Sequence, residues 1–210
     1  MSFDLLVKGG PMLWVILFAS AAAITVFIER VLHYHRAQIN SAEFLNGVRT
    51  VLKRDNVVEA ISICDATPGP VARLVKTAIL SRDFGRDRVR ESLEEAGLAE
   101  VPRLEEKLSL LATIAQIAPL LGLLGTLLGF IKVFQNLVHP PAGTIPSIAT
   151  LSDGVWMALI CAAAGLAVAI PTHAGYNYLV NRVNEIVLDM EKSANEIVNI
   201  VTEPPAQKGP

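Results

Sequence analysis

Three stretches of the chain, Gly9–Ile28, Leu108–Ile131 and Gly154–Asn181, contain no Asp, Glu, Lys or Arg. Each is long enough to cross about 30 Å of hydrocarbon at roughly 1.5 Å per residue. A soluble protein of 210 residues would have to bury all three with little chain left to cover them. The 52% hydrophobic content is therefore informative because it is concentrated, leaving the 18% of charged residues to gather elsewhere. The expected fold class is an all-α integral membrane protein with three transmembrane helices and long cytoplasmic helical extensions, and not a soluble enzyme. The first run is preceded by Lys8, as in a signal peptide, but it continues into Glu29-Arg30-Val31 without a cleavage context, so it is expected to stay as a span.

Charge and cysteine usage remove further classes. The formal net charge is -2, and the arginines of the middle region are interleaved with acids, so nothing asks for a nucleic-acid partner. Cys64 and Cys161 are the only cysteines, and they make neither a disulfide framework nor a metal-site spacing. No metal and no cofactor is expected.

Basic residues flanking the spans set the orientation. Arg30, Arg36, Arg88, Arg90, Arg103, Lys107, Arg182 and Lys192 lie on one side, against Lys8 and Lys132 on the other. The first side is expected to be cytoplasmic. The resulting order is a short periplasmic amino terminus (1–10), span one (11–28), a cytoplasmic helical domain (29–107), span two (108–131) and a periplasmic loop (132–153). Span three (154–181), a cytoplasmic helix (182–203) and a flexible tail (204–210) complete it.

The segment Glu29–Lys107 carries 13 basic and 13 acidic residues. Asn40-Ser41 and Asn56 are positioned to cap helices. Thr67-Pro68-Gly69-Pro70 interrupts the chain before an amphipathic helix holding Leu74, Val75, Ala78 and Ile79. A further helix is expected from near Asp87, bent or restarted near Pro102. Beyond span three, Val183, Val187, Met190, Ala194, Ile197 and Val201 recur at alternating steps of four and three. Such a seam suits either helices packed side by side or a helix folded back on the middle domain. Pro204-Pro205 should stop it.

Span two holds Gly122, Gly125 and Gly129 at steps of three and four, with Gln116, Pro119 and Thr126, while span three holds Ala158, Ala162, Gly165, Pro171 and His173. Small residues at such spacing let helix backbones approach closely. Span one, with Leu13, Trp14, Ile16, Phe18 and Phe27, reads as the bulky lipid-facing helix, and Trp14 and Trp156 lie near the outer boundary. With no carboxylate, Lys or Arg in any span, a proton carrier has to be His173 or belong to another chain. Thr126 and Ala162, roughly 8 and 12 Å from the outer ends, are placed at a common level of a shared interior. Intramembrane threonines commonly bond their own i-4 carbonyl, so the residues by themselves leave Thr126 between packing and path lining.

The words Ala118-Pro119-Leu120-Leu121-Gly122-Leu123-Leu124-Gly125-Thr126-Leu127-Leu128-Gly129 and Gly165-Leu166-Ala167-Val168-Ala169-Ile170-Pro171, within this order of spans, resemble the MotA/TolQ/ExbB proton-channel family, most closely its TolQ/ExbB branch. The resemblance covers nearly the whole chain. It implies a multi-pass protein of the bacterial cell inner membrane, a pentamer enclosing the single transmembrane helices of an ExbD/TolR-like dimer. It also implies work driven by proton motive force, delivered through a TonB-like or other envelope partner, with a partner Asp as the protonatable group. On that resemblance Thr126 occupies the polar position of span two and Pro119 its breaker position.

Span three departs from the family pattern. Many relatives carry a glutamate before an Ala-Leu pair and a threonine five residues on, where this chain has Met157 and Ala162. The implied ion-path lining is therefore Thr126, Ala162 and Met157, with His173 as a secondary proton-path candidate and Gly122, Gly125, Gly129, Gly165, Pro119 and Pro171 as packing residues. In the expected mechanism Thr126 or trapped water donates a hydrogen bond to the charged form of the partner Asp. The competing reading is a structural membrane scaffold without ion conduction.

Overall fold

A computed structural model describes residues 10–139 and 148–202. The expected periplasmic amino terminus up to residue 9, the centre of the expected outer loop and Pro204-Pro205 lie outside the described residues. Seven α-helices are present among those described: α1 (Gly10–Ala37), α2 (Ser41–Leu52), α3 (Val57–Ala66), α4 (Pro70–Leu80), α5 (Arg86–Glu105), α6 (Leu108–Val138) and α7 (Ile148–Thr202). Three of the helical stretches are long and apolar enough to cross a membrane. The chain divides into two compact units. One comprises α1 as far as Glu29, α6, and α7 to Tyr178; the other comprises the remainder of α1, α2 to α5, and α7 from Leu179.

In the first unit α6 runs past Ile131 to Val138, and α7 already begins at Ile148. α1 is one-sided here. Leu13, Ile16, Ala23 and Val26 are buried, whereas Trp14, Phe18 and Ile24 point outward. Phe27 also turns inward, since a Cβ on Gly175 of α7 would fall 3.0 Å from its ring. Span one, expected as the bulky lipid-facing helix, therefore has one side packed within this unit and one side left outward. Helical periodicity divides the bulky residues between two faces, and Leu13 and Ile16 belong to the packed one.

The second unit is built by more ordinary means. Asn40 caps α2 and Asn56 caps α3, each accepting from the backbone N–H three residues on, at 3.4 and 3.3 Å. Each asparagine amide also donates to the glutamate at that position, Glu43 or Glu59. The first bond of each pair satisfies a backbone N–H that a helix start leaves open, and the second, between side chains, holds the asparagine in place. Gly69 enters α4 at φ 119, and a Cβ there would stand 2.7 Å from the Ala37 carbonyl oxygen, so the turn before Pro70 requires glycine. Besides Leu74, Val75, Ala78 and Ile79, α4 buries Pro70, Val71 and Ala72. Its opposite face, Arg73, Lys76, Thr77 and Leu80, stays exposed or half-exposed, so the helix is amphipathic as expected, with a wider buried face.

α5 passes through Pro102 without a break; the interruption comes at Glu106–Lys107, where Lys107 takes a left-handed φ of 65°. Pro102 costs α5 the donor to the Leu98 carbonyl, and Leu98 is 76% exposed, so that carbonyl can meet solvent. Glu100 of α5 is buried and bridges Arg73 at 3.1 Å and Arg103 at 2.9 Å. Tyr34 donates to the Leu104 carbonyl at 2.6 Å, and burial raises its hydroxyl pKa. Burial, helped by neighbouring Asp65, pushes the Cys64 thiol up to about 11. In α7, Val183, Met190 and Ile197 of the expected seam are buried, but so are Leu179, Ile186, Ser193 and Val198, which widens the seam to a face.

Candidate functional site

Two matching rows of small residues build the centre of the first unit. On α6 they are Ala118, Gly122, Gly125 and Gly129, and on α7 Gly154, Ala158, Cys161 and Gly165; each row advances by four, three and four. The rows meet antiparallel. A Cβ on Gly165 would stand 2.7 Å from the Ala118 carbonyl oxygen and 2.9 Å from Gly122 Cα. One on Gly122 would stand 2.9 Å from the Cys161 carbonyl oxygen, and one on Gly129 2.8 Å from that of Gly154. Backbone meets backbone along the seam, so no side chain larger than hydrogen fits at these three positions.

Gly125 differs from the other three. Its neighbours would be Cys161 Cβ at 2.5 Å, Cys161 Sγ at 2.8 Å, and Met12 of α1 at 3.5 Å. Cys161 is thus the thiol that fills the seam, a role invisible when cysteines are read only as disulfide or metal candidates. The shared step of four, three and four was the sequence signal that could have found Gly154, Ala158 and Cys161 as the partners of the α6 glycines.

Thr126 lies half-buried beside this seam. Its hydroxyl donates to the Gly122 carbonyl at 2.9 Å and reaches the Ala158 carbonyl of α7 at 3.3 Å. A hydroxyl has one proton and two lone pairs. With that proton shared between two carbonyls, Thr126 Oγ1 presents only acceptor capacity to any third group. Turned this way the hydroxyl leaves its lone pairs to a third group, and donating to a charged carboxylate would require it to rotate off these carbonyls.

The other expected site residues spread along α7. Thr126 stands level with Ala158, and Ala162 packs one turn away against Gly122, where a Cβ would come within 3.4 Å of Ala162 Cα. Met157 is buried, and a Cβ on Gly10 would collide with its methyl group, so its side chain lies against the start of α1. His173 is exposed, with its ring 6.4 Å from that of Tyr176, and lies about 22 Å along α7 from Ala158. Pro119 and Pro171 are inside α6 and α7, and neither ends its helix. No cluster of three or more His, Cys, Asp or Glu suited to a metal exists among the described residues.

The model of the MotA/TolQ/ExbB proton channel family matches residues 67–192. The chain is 25% identical over 186 residues to a biopolymer transport protein ExbB homolog of Methanothermobacter thermautotrophicus, covering 88% of this chain and 64% of that one. It is 32% identical over 168 residues to the ExbB-like 1 protein of Synechocystis, covering 80% of this chain and 66% of the relative. The chain thus spans just under two thirds of the length of both. With the Tol-Pal system protein TolQ of Haemophilus influenzae it shares 36% identity over 102 residues, which is 49% of this chain and 43% of the relative.

Proposed function

This chain belongs to the MotA/TolQ/ExbB proton channel family, and from that premise we propose that it forms the oligomeric wall of a proton path whose titrating group is carried by a partner. The observation that carries this reading is the pairing of an acceptor-only Thr126 hydroxyl with spans that contain no carboxylate, Lys or Arg. The wall is a pentamer around an ExbD/TolR-like dimer of single-span chains in the bacterial inner membrane. The amino terminus is periplasmic and the long helical extensions are cytoplasmic. Work passes to a TonB-like or other envelope partner.

Two effects favour the neutral form of a partner Asp in this interior. Desolvation raises its pKa, and its O–H finds an acceptor in Thr126 Oγ1 that a carboxylate would not. Protonation lets the group dock, and loss of the proton expels it. Each charge that crosses the field gains roughly 2.3 kcal/mol per 100 mV, enough to bias the cycle in one direction. Ala162, without a hydroxyl, widens the path one turn from Thr126, and Met157 seals it on the α1 side. A path with few hard oxygen ligands suits protons better than sodium.

The test is reconstitution in liposomes of the complex co-purified from membranes, and of this subunit alone, under an imposed pH gradient with an internal pH dye. Flux should require the partner. Thr126→Val keeps shape but removes the hydroxyl and should slow flux, with a stability loss of only about 0.6 kcal/mol, the average for an interhelical membrane hydrogen bond. Flux from this subunit alone would contradict the division of labour, and absence of flux from the full complex would favour the scaffold.

A further inference from the structure

α6 carries a second set of polar groups that the small-residue seam does not use. Ser109, Thr113 and Gln116 follow at steps of four and three, so they share one helix face, and all three are exposed. The face is roughly opposite the one that meets α7, because Gly125 lies nine residues, about half a rotation, from Gln116. Among the described residues the Gln116 amide makes no hydrogen bond. It sits about 13 Å along the helix from Lys107, inside a stretch without any ionised residue.

An amide held against lipid at that depth would leave two donors and a carbonyl without partners, at a cost of several kcal/mol. The polarity is also not an island. It begins at the ionised end of the span with Lys107 and continues through Ser109 and Thr113 to Gln116. Thr113 donates its proton to the Ser109 carbonyl at 2.7 Å and so offers lone pairs outward. Beyond Gln116 the same face turns to Leu120, Leu123 and Leu127, all more than half exposed. A single glutamine between apolar neighbours would suit a bond to another helix. A run of polar groups opening on the charged end and closed by leucines suits water.

We propose that Ser109, Thr113 and Gln116 line a water-filled vestibule that enters the membrane from the Lys107 end of α6, stops at the leucines, and has Gln116 as its deepest hydrated group. This rests on the reading of the chain as the wall of an ion path. Gln116 is a positioning residue for water, holding it by both amide donors and the carbonyl.

Cysteine accessibility tests it in the full chain with its co-purified partners, in native membrane vesicles open at the Lys107 side. Gln116→Cys and Thr113→Cys are treated with a charged, membrane-impermeant methanethiosulfonate reagent. Leu123→Cys and Phe18→Cys serve as dry comparators on the same face and on α1. Wild type gives the background, since Cys64 and Cys161 are both buried. Only the thiolate reacts, and it forms only where water reaches, so the first two variants should be labelled at least about tenfold faster than the comparators. Labelling of Gln116→Cys as slow as that of Phe18→Cys overturns the proposal, whether lipid or another helix covers the site. Labelling is read apart from flux, so a complex that conducts protons while Gln116 stays dry removes this inference alone.

Discussion

Around Gly165 the atoms nearest to an added methyl are the Ala118 carbonyl oxygen and Gly122 Cα, both backbone, whereas around α4 the contact is made by side chains such as Leu74, Val75 and Ile79, all buried. The solvents these regions must leave explain the contrast. Helices surrounded by lipid gain nothing by hiding apolar surface from it, so they associate by close approach, which small residues allow. The second unit is laced with ionised groups, including the Arg73–Glu100–Arg103 bridge, and there apolar area removed from water stabilises at about 25 cal/mol per Å². One region is held by the absence of side chains and the other by their bulk.

Opposite responses to changes in side-chain size would sharpen this comparison. The largest effect is expected for Gly165→Leu. Overpacking usually costs about 1–3 kcal/mol, and more here because the obstructing atoms are backbone. α6 and α7 should separate, seen as a lower melting temperature in detergent; an unchanged melting point would mean that the seam is not a contact.

Next in size is the reverse change in the second unit. Ile79→Ala removes a side chain that is 1% exposed and should destabilise by about 2–5 kcal/mol through the cavity it leaves. Denaturant unfolding would measure it, and a loss under about 1 kcal/mol would indicate a core loose enough to collapse. Asn56→Ala removes the cap of α3 and should cost about 1 kcal/mol, with Asn56→Asp restoring most of it. If alanine were neutral, water would be capping that helix as well as the side chain does.

The smallest effect is expected at the exposed Lys76–Asp65 pair, 2.5 Å apart. Asp65→Asn should shift stability by less than about 0.5 kcal/mol and the shift should vanish in high salt. A salt-resistant loss above about 1 kcal/mol would show that ion pairs, and not apolar bulk, hold the second unit.

The apolar runs were legible because a missing charge over twenty or more residues has few physical meanings, and the asparagine caps were legible because their chemistry is local. Other features depend on facts that no local pattern encodes. Lys107 adopts a left-handed conformation that glycine or asparagine would have announced, so the eye stops at Pro102, five residues early. Glu100 is one acid among several on α5, and nothing in spacing tells which of them is buried between two arginines. The level shared by Thr126 and Ala158, and the direction of the Thr126 proton, follow from a 3.3 Å approach between helices 32 residues apart. Composition can say that a hydroxyl is present there but not which way it faces.

The seam also limits how this sequence can drift. At Gly122 and Gly165 every single-nucleotide change that alters the amino acid adds at least a Cβ, and the backbone opposite cannot be mutated out of its way. These two positions are closed to neutral change. Gly125 is under a different rule, since what stands in the path of its Cβ is the Cys161 side chain. An alanine at 125 becomes acceptable once 161 is reduced to glycine, and the thiol can then be lost without loss of the fold. Lineages descended from this sequence are therefore expected to keep 122 and 165 fixed and to admit alanine at 125 only where 161 has become glycine.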